Sequence, residues 1–242
     1  MLNRKLITSN SRTNHSRDVG KHFKLKFKIM NKLIIILSFL LATTQLSSQK
    51  KIDLTSDESL TKIFNKEEIE GLESIVRFVD NMVLKSTSEN NPSNAYHLYF
   101  EEIVQTPEYI VPFKEVTKYQ FLKNLDSTQL TIVWRFSQNA GVFKYRDSIY
   151  RNPDFITFLE IKPFSKYMDY LKDLGKNDPY FKAIQQEFDG AGNLMAGSAA
   201  WFEKNHKSFD FDIPKNRLWA AIYLLSNEET IEMKLDRYYK NK

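Results

Sequence analysis

The chain has 242 residues, 42% hydrophobic and 27% charged, the composition of a folded globular protein and not of a disordered one. Its formal charge of +5 is concentrated at one end. Residues 1–29 carry eight Lys or Arg and one Asp, whereas from Lys50 onward 26 basic residues stand against 29 acidic ones, a net −3, so no case for a nucleic-acid partner follows. The absence of cysteine excludes disulfides, thiolate metal sites, a Cys nucleophile, a Cys redox pair and a lipid anchor on an N-terminal cysteine.

Residues 1–29 show no helical or strand periodicity and read as a basic upstream extension, disordered or not translated. The apolar run behind them, Leu33 to Ala42, is ten residues long. Spanning the hydrocarbon core of a bilayer takes about 20. Preceded by Lys32 and followed by Thr43, Thr44, Ser47 and Ser48, the run has the dimensions of a signal-peptide apolar region. Residues 30–49 are therefore expected to be a signal peptide, with translation from Met30 or, through a longer basic leader, from Met1. The mature chain is expected to begin between Gln45 and Lys51 and to be periplasmic or extracellular, meeting the membrane only transiently. An uncleaved anchor in the inner membrane is the competing reading. Residues 50–242 then make one exported domain, since no linker rich in Gly, Ser or Pro divides them.

Thr55-Ser-Asp-Glu58 has capping-box spacing and predicts a first short helix. Asn65 ahead of Lys66-Glu67-Glu68 predicts the start of a longer one, striped by Ile69, Leu72, Val76, Val79 and Val83 and broken by Asn90-Asn-Pro-Ser93. Tyr96, Tyr99, Phe100 and Ile103 stripe the next helix, which ends before Pro107, and Phe113 to Leu125 reads as helical. Gln129 to Phe136 fits a strand by alternation and a helix by the spacing of Leu130, Val133 and Trp134. With Asn139-Ala-Gly141 behind it, a short β-hairpin near 129–147 is allowed.

Asn152-Pro153 reads as the cap of a short helix. Phe164, Tyr167, Met168, Leu171 and Leu174 stripe another, stopped by Gly175 in the C′ position, and Asp178-Pro179 starts the one after. Leu218, Ala221, Ile222 and Leu225 stripe a helix following Pro214. Ser226-Asn-Glu-Glu229 has capping-box spacing for a final helix through Ile231, Leu235 and Tyr238. The expected fold class is mainly α, a single multi-helix domain.

Few residues carry chemistry. Gly192-Asn-Leu-Met-Ala-Gly197-Ser198 has two glycines at phosphate-loop spacing but no lysine after the second and no strand before the first. Gly192, Ala196 and Ala200, four apart, instead predict a smooth helix face for close packing. Asp189-Gly-Ala-Gly-Asn193 lacks the alternating carboxylates of a calcium loop. His97 and Glu101 are one helical turn apart, a spacing that orients an imidazole or chelates a metal, yet both fall off their helix's apolar stripe, where an exposed ion pair is the expectation. His206 sits in a polar stretch far from His97, so no zinc site and no other metal or cofactor is expected.

Carboxylate pairs occur at Glu67/Glu68, Glu101/Glu102, Asp210/Asp212 and Glu228/Glu229, three of them compatible with helix starts or helix surfaces. A glycosidase needs two carboxyls facing one cleft, which adjacency in sequence does not supply. Aromatic residues reach 14%; Trp201-Phe202 and Phe209-Asp-Phe-Asp-Ile213 read as core filling, with a groove for a peptide or sugar as the alternative.

From Phe188 through Leu225, about a sixth of the chain, the sequence resembles uncharacterised exported proteins of the Bacteroidota. The likeness rests on a Gly-containing turn, a helix, an alternating Phe-Asp-Phe-Asp segment and Arg217-Leu-Trp-Ala-Ala-Ile-Tyr-Leu224. It implies an envelope location and no particular activity. The expectation is an exported binding or structural protein with an unknown protein, peptide or glycan ligand, and His97, Glu101 and Trp201 as candidate binding residues. A hydrolase using carboxylates or His97 brought together by folding is the alternative.

Overall fold

The computed structural model describes residues 52–106, 111–138, 141–151, 153 and 156–240; the leader, the apolar run and every expected cleavage position lie outside them. A 3-10 turn at Leu54–Ser56 leads into α1 (Glu58–Ile63). Its cap is Asp57, which accepts from the Leu60 N–H at 3.1 Å, so the helix starts later than Thr55. In α2 (Lys66–Thr87), Asn65 accepts from the Glu68 N–H and the Glu68 carboxylate accepts from the Asn65 N–H, a reciprocal capping box. All five residues of its expected stripe are buried. Asn91 caps α3 (Pro92–Gln105) with Pro92 at the first helical position, and α4 (Glu115–Asn124) and α5 (Ser127–Thr131) follow.

The ambiguous window is both things in turn. Helix α5 gives way to strand β1 (Trp134–Gln138), whose partner is not the next strand. A hairpin of β2 (Val142–Tyr145) and β3 (Ser148–Arg151) intervenes, turning at Arg146 with φ 53°. β1 then pairs antiparallel with β4 (Thr157–Ile161), in register from Trp134 opposite Ile161 to Gln138 opposite Thr157. The hairpin therefore lies at 142–151, not 129–147. Pro153 precedes β4 where a short helix was expected; Asn152 lies outside the described residues.

Ser165 caps α6 (Lys166–Leu174), burying Tyr167, Met168, Leu171 and Leu174. Phe164 precedes that cap and is 97% exposed, with φ 55°. Gly175 closes α6 at φ −64°, not in the left-handed region. What it supplies is space, because a Cβ there would lie 2.9 Å from the Lys182 Cα. Asp178 and Pro179 open α7 (Pro179–Ala191) as expected, and Gly192 ends it in the left-handed region at φ 72°. The remaining elements are α8 (Ala196–Lys204), a 3-10 turn at His206–Ser208, α9 (Pro214–Ser226) and α10 (Ile231–Lys240). Ser226 closes α9, donating to the Ile222 carbonyl at 2.8 Å, and Thr230 accepts from the Met233 N–H, so Ser226 does not open the last helix.

The described residues are thus mainly α: ten α-helices with two small antiparallel sheets. α2 packs against α3 and α9, and α6 against α7 and α1. α9 is buried at every position from Asn216 to Leu225, more than a four-residue stripe implies, because it fills the centre of the bundle. None of the described helices is long and apolar enough to cross a membrane. Leu171 is fully buried in α6, so Leu171→Ala should cost about 2–5 kcal/mol through lost transfer energy and a cavity. A reversible denaturant melt measures it, and a change below about half a kcal/mol would contradict this packing.

Candidate functional site

Capping by Asn91 sets the phase of α3 so that Tyr96 and Phe100 enter the core and His97 falls at their flank, half-buried. His206, in the 3-10 turn behind α8, is buried against the same flank. The two Nδ1 atoms meet at 3.0 Å. His97 packs on Phe211 with ring centroids 4.8 Å apart, and His206 lies over Phe100 at 6.1 Å. Burial is the main cause holding His97 below the ordinary 6.5, with Asp210 pulling up and Lys207 pushing down. His206 is lowered by burial first, then by His97 and Lys207, against Glu101.

The expected His97–Glu101 pair does not form the site. Glu101 instead meets Lys207 at 3.6 Å, an exposed pair worth little to stability. Among the described residues no group of three or more metal-ligating side chains lies together, so the two imidazoles have no third partner of that kind.

Trp201 stands on a neighbouring face. It is 49% exposed, whereas the other two tryptophans, Trp134 and Trp219, are buried. Its indole stacks on Tyr180 of α7 at 5.5 Å and meets Phe209 edge-on at 6.3 Å. Through Phe202 and Phe100 the same aromatic run reaches His206 and with it His97, so Trp201 and His97 border one continuous cluster, whereas Glu101 engages Lys207. Phe209 and Phe211 point into the core while Asp210 and Asp212 face outward, which bears out core filling there.

The smooth-face expectation is overturned. Gly192 caps α7, and Ala196 begins the separate helix α8 and is exposed. That helix lacks a side-chain cap of its own; the Glu187 carboxylate of α7 accepts from the Met195 N–H at 2.9 Å and from the Ser198 hydroxyl. A phosphate would have to occupy the place this carboxylate takes, and the two negative charges would repel.

A second cluster escaped the sequence reading. Lys234 of α10 donates to Glu115 of α4, to the Thr157 carbonyl at 2.8 Å and to Glu228 at 3.2 Å. Arg237 donates to Glu115 and Glu229. Lys118 of α4 is buried and donates to the carbonyls of Leu225 and Asn227, both at 3.0 Å, where a cation also opposes the negative end of α9. Burial lowers the Lys118 ammonium below its usual range despite Glu228 and Glu115 nearby. The Tyr119 hydroxyl donates to Glu228, and its phenol is pushed well above the ordinary range by burial first and by that bond second.

Two clefts flank this cluster. One of about 230 Å³ is lined by Glu115, Tyr119, Lys123, Thr157, Lys234 and Arg237. The other, about 480 Å³, is lined by Arg135, Glu160, Asn193, Ser226 and Glu228 among others. Glu228, expected at a helix start, thus sits in the loop between α9 and α10 as the hub of a charge network. Its only sequence signal was the neighbouring Glu229, which does not distinguish a buried acid from a solvated one. Comparison with protein-family models, with curated proteins and with solved structures finds no match for this chain.

Proposed function

We propose that this chain is an exported protein of the cell envelope that works by binding a peptide or glycan through the face carrying Trp201. The observation that carries this reading is the half-exposed indole held flat by Tyr180 and Phe209. A large aromatic surface fixed by neighbouring rings meets a ligand with little loss of side-chain freedom. Beside it, one helical turn away, Gly197 has open space where a side chain would stand. Export rests on the apolar run being half a membrane span and followed by small residues, and it agrees with the resemblance to exported Bacteroidota proteins.

The buried charges support binding over turnover for a physical reason. Lys234 directs its donors at Glu115, Glu228 and the Thr157 carbonyl, so its charge is spent on holding α10 and not on polarising a substrate. One observation favours a hydrolase as the second reading: Glu160 and Glu228 line the same 480 Å³ cleft. The Ser137 hydroxyl, followed by Arg135, holds the Glu160 carboxyl below its usual range, which suits a base or nucleophile and not a general acid.

Because Trp201 is the exposed tryptophan, intrinsic fluorescence reports on this face directly. Protein recovered from the periplasm or medium is expected to begin between Gln45 and Lys51 by N-terminal sequencing. Soluble peptidoglycan fragments or a pool of short peptides should shift its emission, and titration calorimetry should show Trp201→Ala binding weaker by about 1–3 kcal/mol, roughly 5- to 150-fold, without loss of fold. Retention of Leu33 to Leu41 in the membrane fraction would sink export. Unchanged affinity in Trp201→Ala would sink the binding face.

A further inference from the structure

Two imidazoles joined through one nitrogen of each ring take up protons in a set order. With the Nδ1 atoms of His97 and His206 3.0 Å apart, one ring donates its Nδ1–H, and the other accepts on Nδ1 while carrying its own proton on Nε2. A first added proton goes to the free Nε2 of the donating ring, and the imidazolium so formed goes on donating from Nδ1. A second proton can bind only at the accepting Nδ1. That sets two N–H groups head to head and brings two positive charges together. The bond survives one added proton and not two.

The bond is one of several ties between the bundle and the α8 segment, where Phe202 packs among Phe100, Tyr180, Trp219 and Tyr223, and Glu203 accepts from the Tyr223 hydroxyl at 2.6 Å. His97 belongs to α3, whose Tyr96 and Phe100 are fully buried and which packs on α2. His206 follows α8, a nine-residue helix whose one fully buried side chain is Phe202 and whose N-terminus leans on a carboxylate from α7. The charged groups that face the pair are Asp210 and Lys207 at His97, and Lys207 and Glu101 at His206. Lys207 opposes added charge on both rings, and it also engages Glu101, the carboxylate that would favour charge on His206.

We propose that the His97–His206 pair is an acid-released clasp that holds residues 196–208, helix α8 and the turn behind it, against α3. It is closed at neutral pH and opens when both rings are charged. The sign follows from proton binding: unfolded imidazoles take protons near 6.5, whereas burial makes the folded ones take them at lower pH. The clasp's stabilisation is therefore whole above about pH 6.5 and is lost as pH falls below it. Opening carries Trp201 along with α8, whatever Trp201 binds, so the clasp goes beyond the binding reading and does not depend on it.

Amide hydrogen exchange on the intact protein tests this without any ligand. Protection of residues 196–208, corrected for the intrinsic pH dependence of exchange, is expected to fall by about tenfold or more between about pH 7 and pH 5, while α2 keeps its protection. Ring NMR of the same wild-type sample should show two coupled steps below about pH 6.5, with protection lost as pH falls from about 6.5 through them. In His206→Phe a single buried imidazole stays beside an apolar ring, and the acid-dependent loss should shrink from a two-proton to a one-proton response. Flat protection in the wild type overturns the clasp, as do independent titrations near 6.5 or an unchanged acid response in His206→Phe. Should His206→Phe fail to fold, the wild-type comparison of ring titration with exchange decides by itself.

Discussion

Arg217→Met is expected to lower stability by about 3–5 kcal/mol, the loss typical of breaking a buried ion pair from one side. Arg217 of α9 is 2% exposed, and its guanidinium meets the Asp80 carboxylate of α2 through two bonds of 2.9 and 2.6 Å. Burial raises the Asp80 carboxyl above its ordinary value while Arg217 opposes the rise, so desolvation of the carboxylate outweighs the attraction even with the cation in place. Removing the cation leaves Asp80 buried without its counter-charge. Replacing both partners, as in Asp80→Leu with Arg217→Met, removes that penalty and should recover most of the loss. Urea melts of the two single variants and the double variant decide it. A single-variant loss below about 1 kcal/mol, or a double variant no better than either single, would contradict the account.

Lys234→Met is expected to release the C-terminal helix while the rest of the bundle stays folded. Lys234 is 3% exposed and is one of two buried residues in α10, the other being Leu235. Without the ammonium, Glu115 keeps Arg237 but Glu228 loses one of its cations, and both carboxylates are nearly dry. Glu228 keeps Lys118 at 3.7 Å, so the loss is part of the about 3–5 kcal/mol that breaking a buried pair costs, comparable with the about 1.5–3 kcal/mol that Leu235 contributes on burial. Undocking α10 rehydrates the carboxylates, which favours that route. Tyr145 and Tyr150 of the β2–β3 hairpin, which pack on Tyr239, should loosen with it. Trypsin should then cut at Arg237 and Lys240 far faster than in the wild type, with near-native helicity left in the remainder. Equal cleavage rates would show that α10 is held by something other than this lysine.

Much of the fold is legible in the sequence because it is set by neighbours in the chain. Asn65 and Glu68 cap α2 across three residues, and its stripe repeats at the helical period. Asp178-Pro179 starts α7 for the same local reason. Where the expectation failed, the deciding partner was distant. β1 pairs with β4 across an inserted hairpin, so alternation in 129–136 had no visible partner to lock it. Gly175 is a glycine for the sake of Lys182 in the next helix, not for its own φ.

The candidate site shows the same division more sharply. Composition and the leader by themselves determine that the body lacks thiol chemistry and has no excess positive charge, and caps and stripes determine its helical class. Only the tertiary structure decides which charges are buried. Lys118, Lys234, Glu115 and Glu228 look like solvated residues in the chain, and they become a network, the first three buried and Glu228 partly so, because α4, β4 and the α9–α10 loop converge on them. His97 and His206 are 109 positions apart and meet at 3.0 Å because α3 and the turn after α8 flank the same aromatic cluster. Burial and pairing are properties of what surrounds a side chain, and local sequence records only the chain on either side of it.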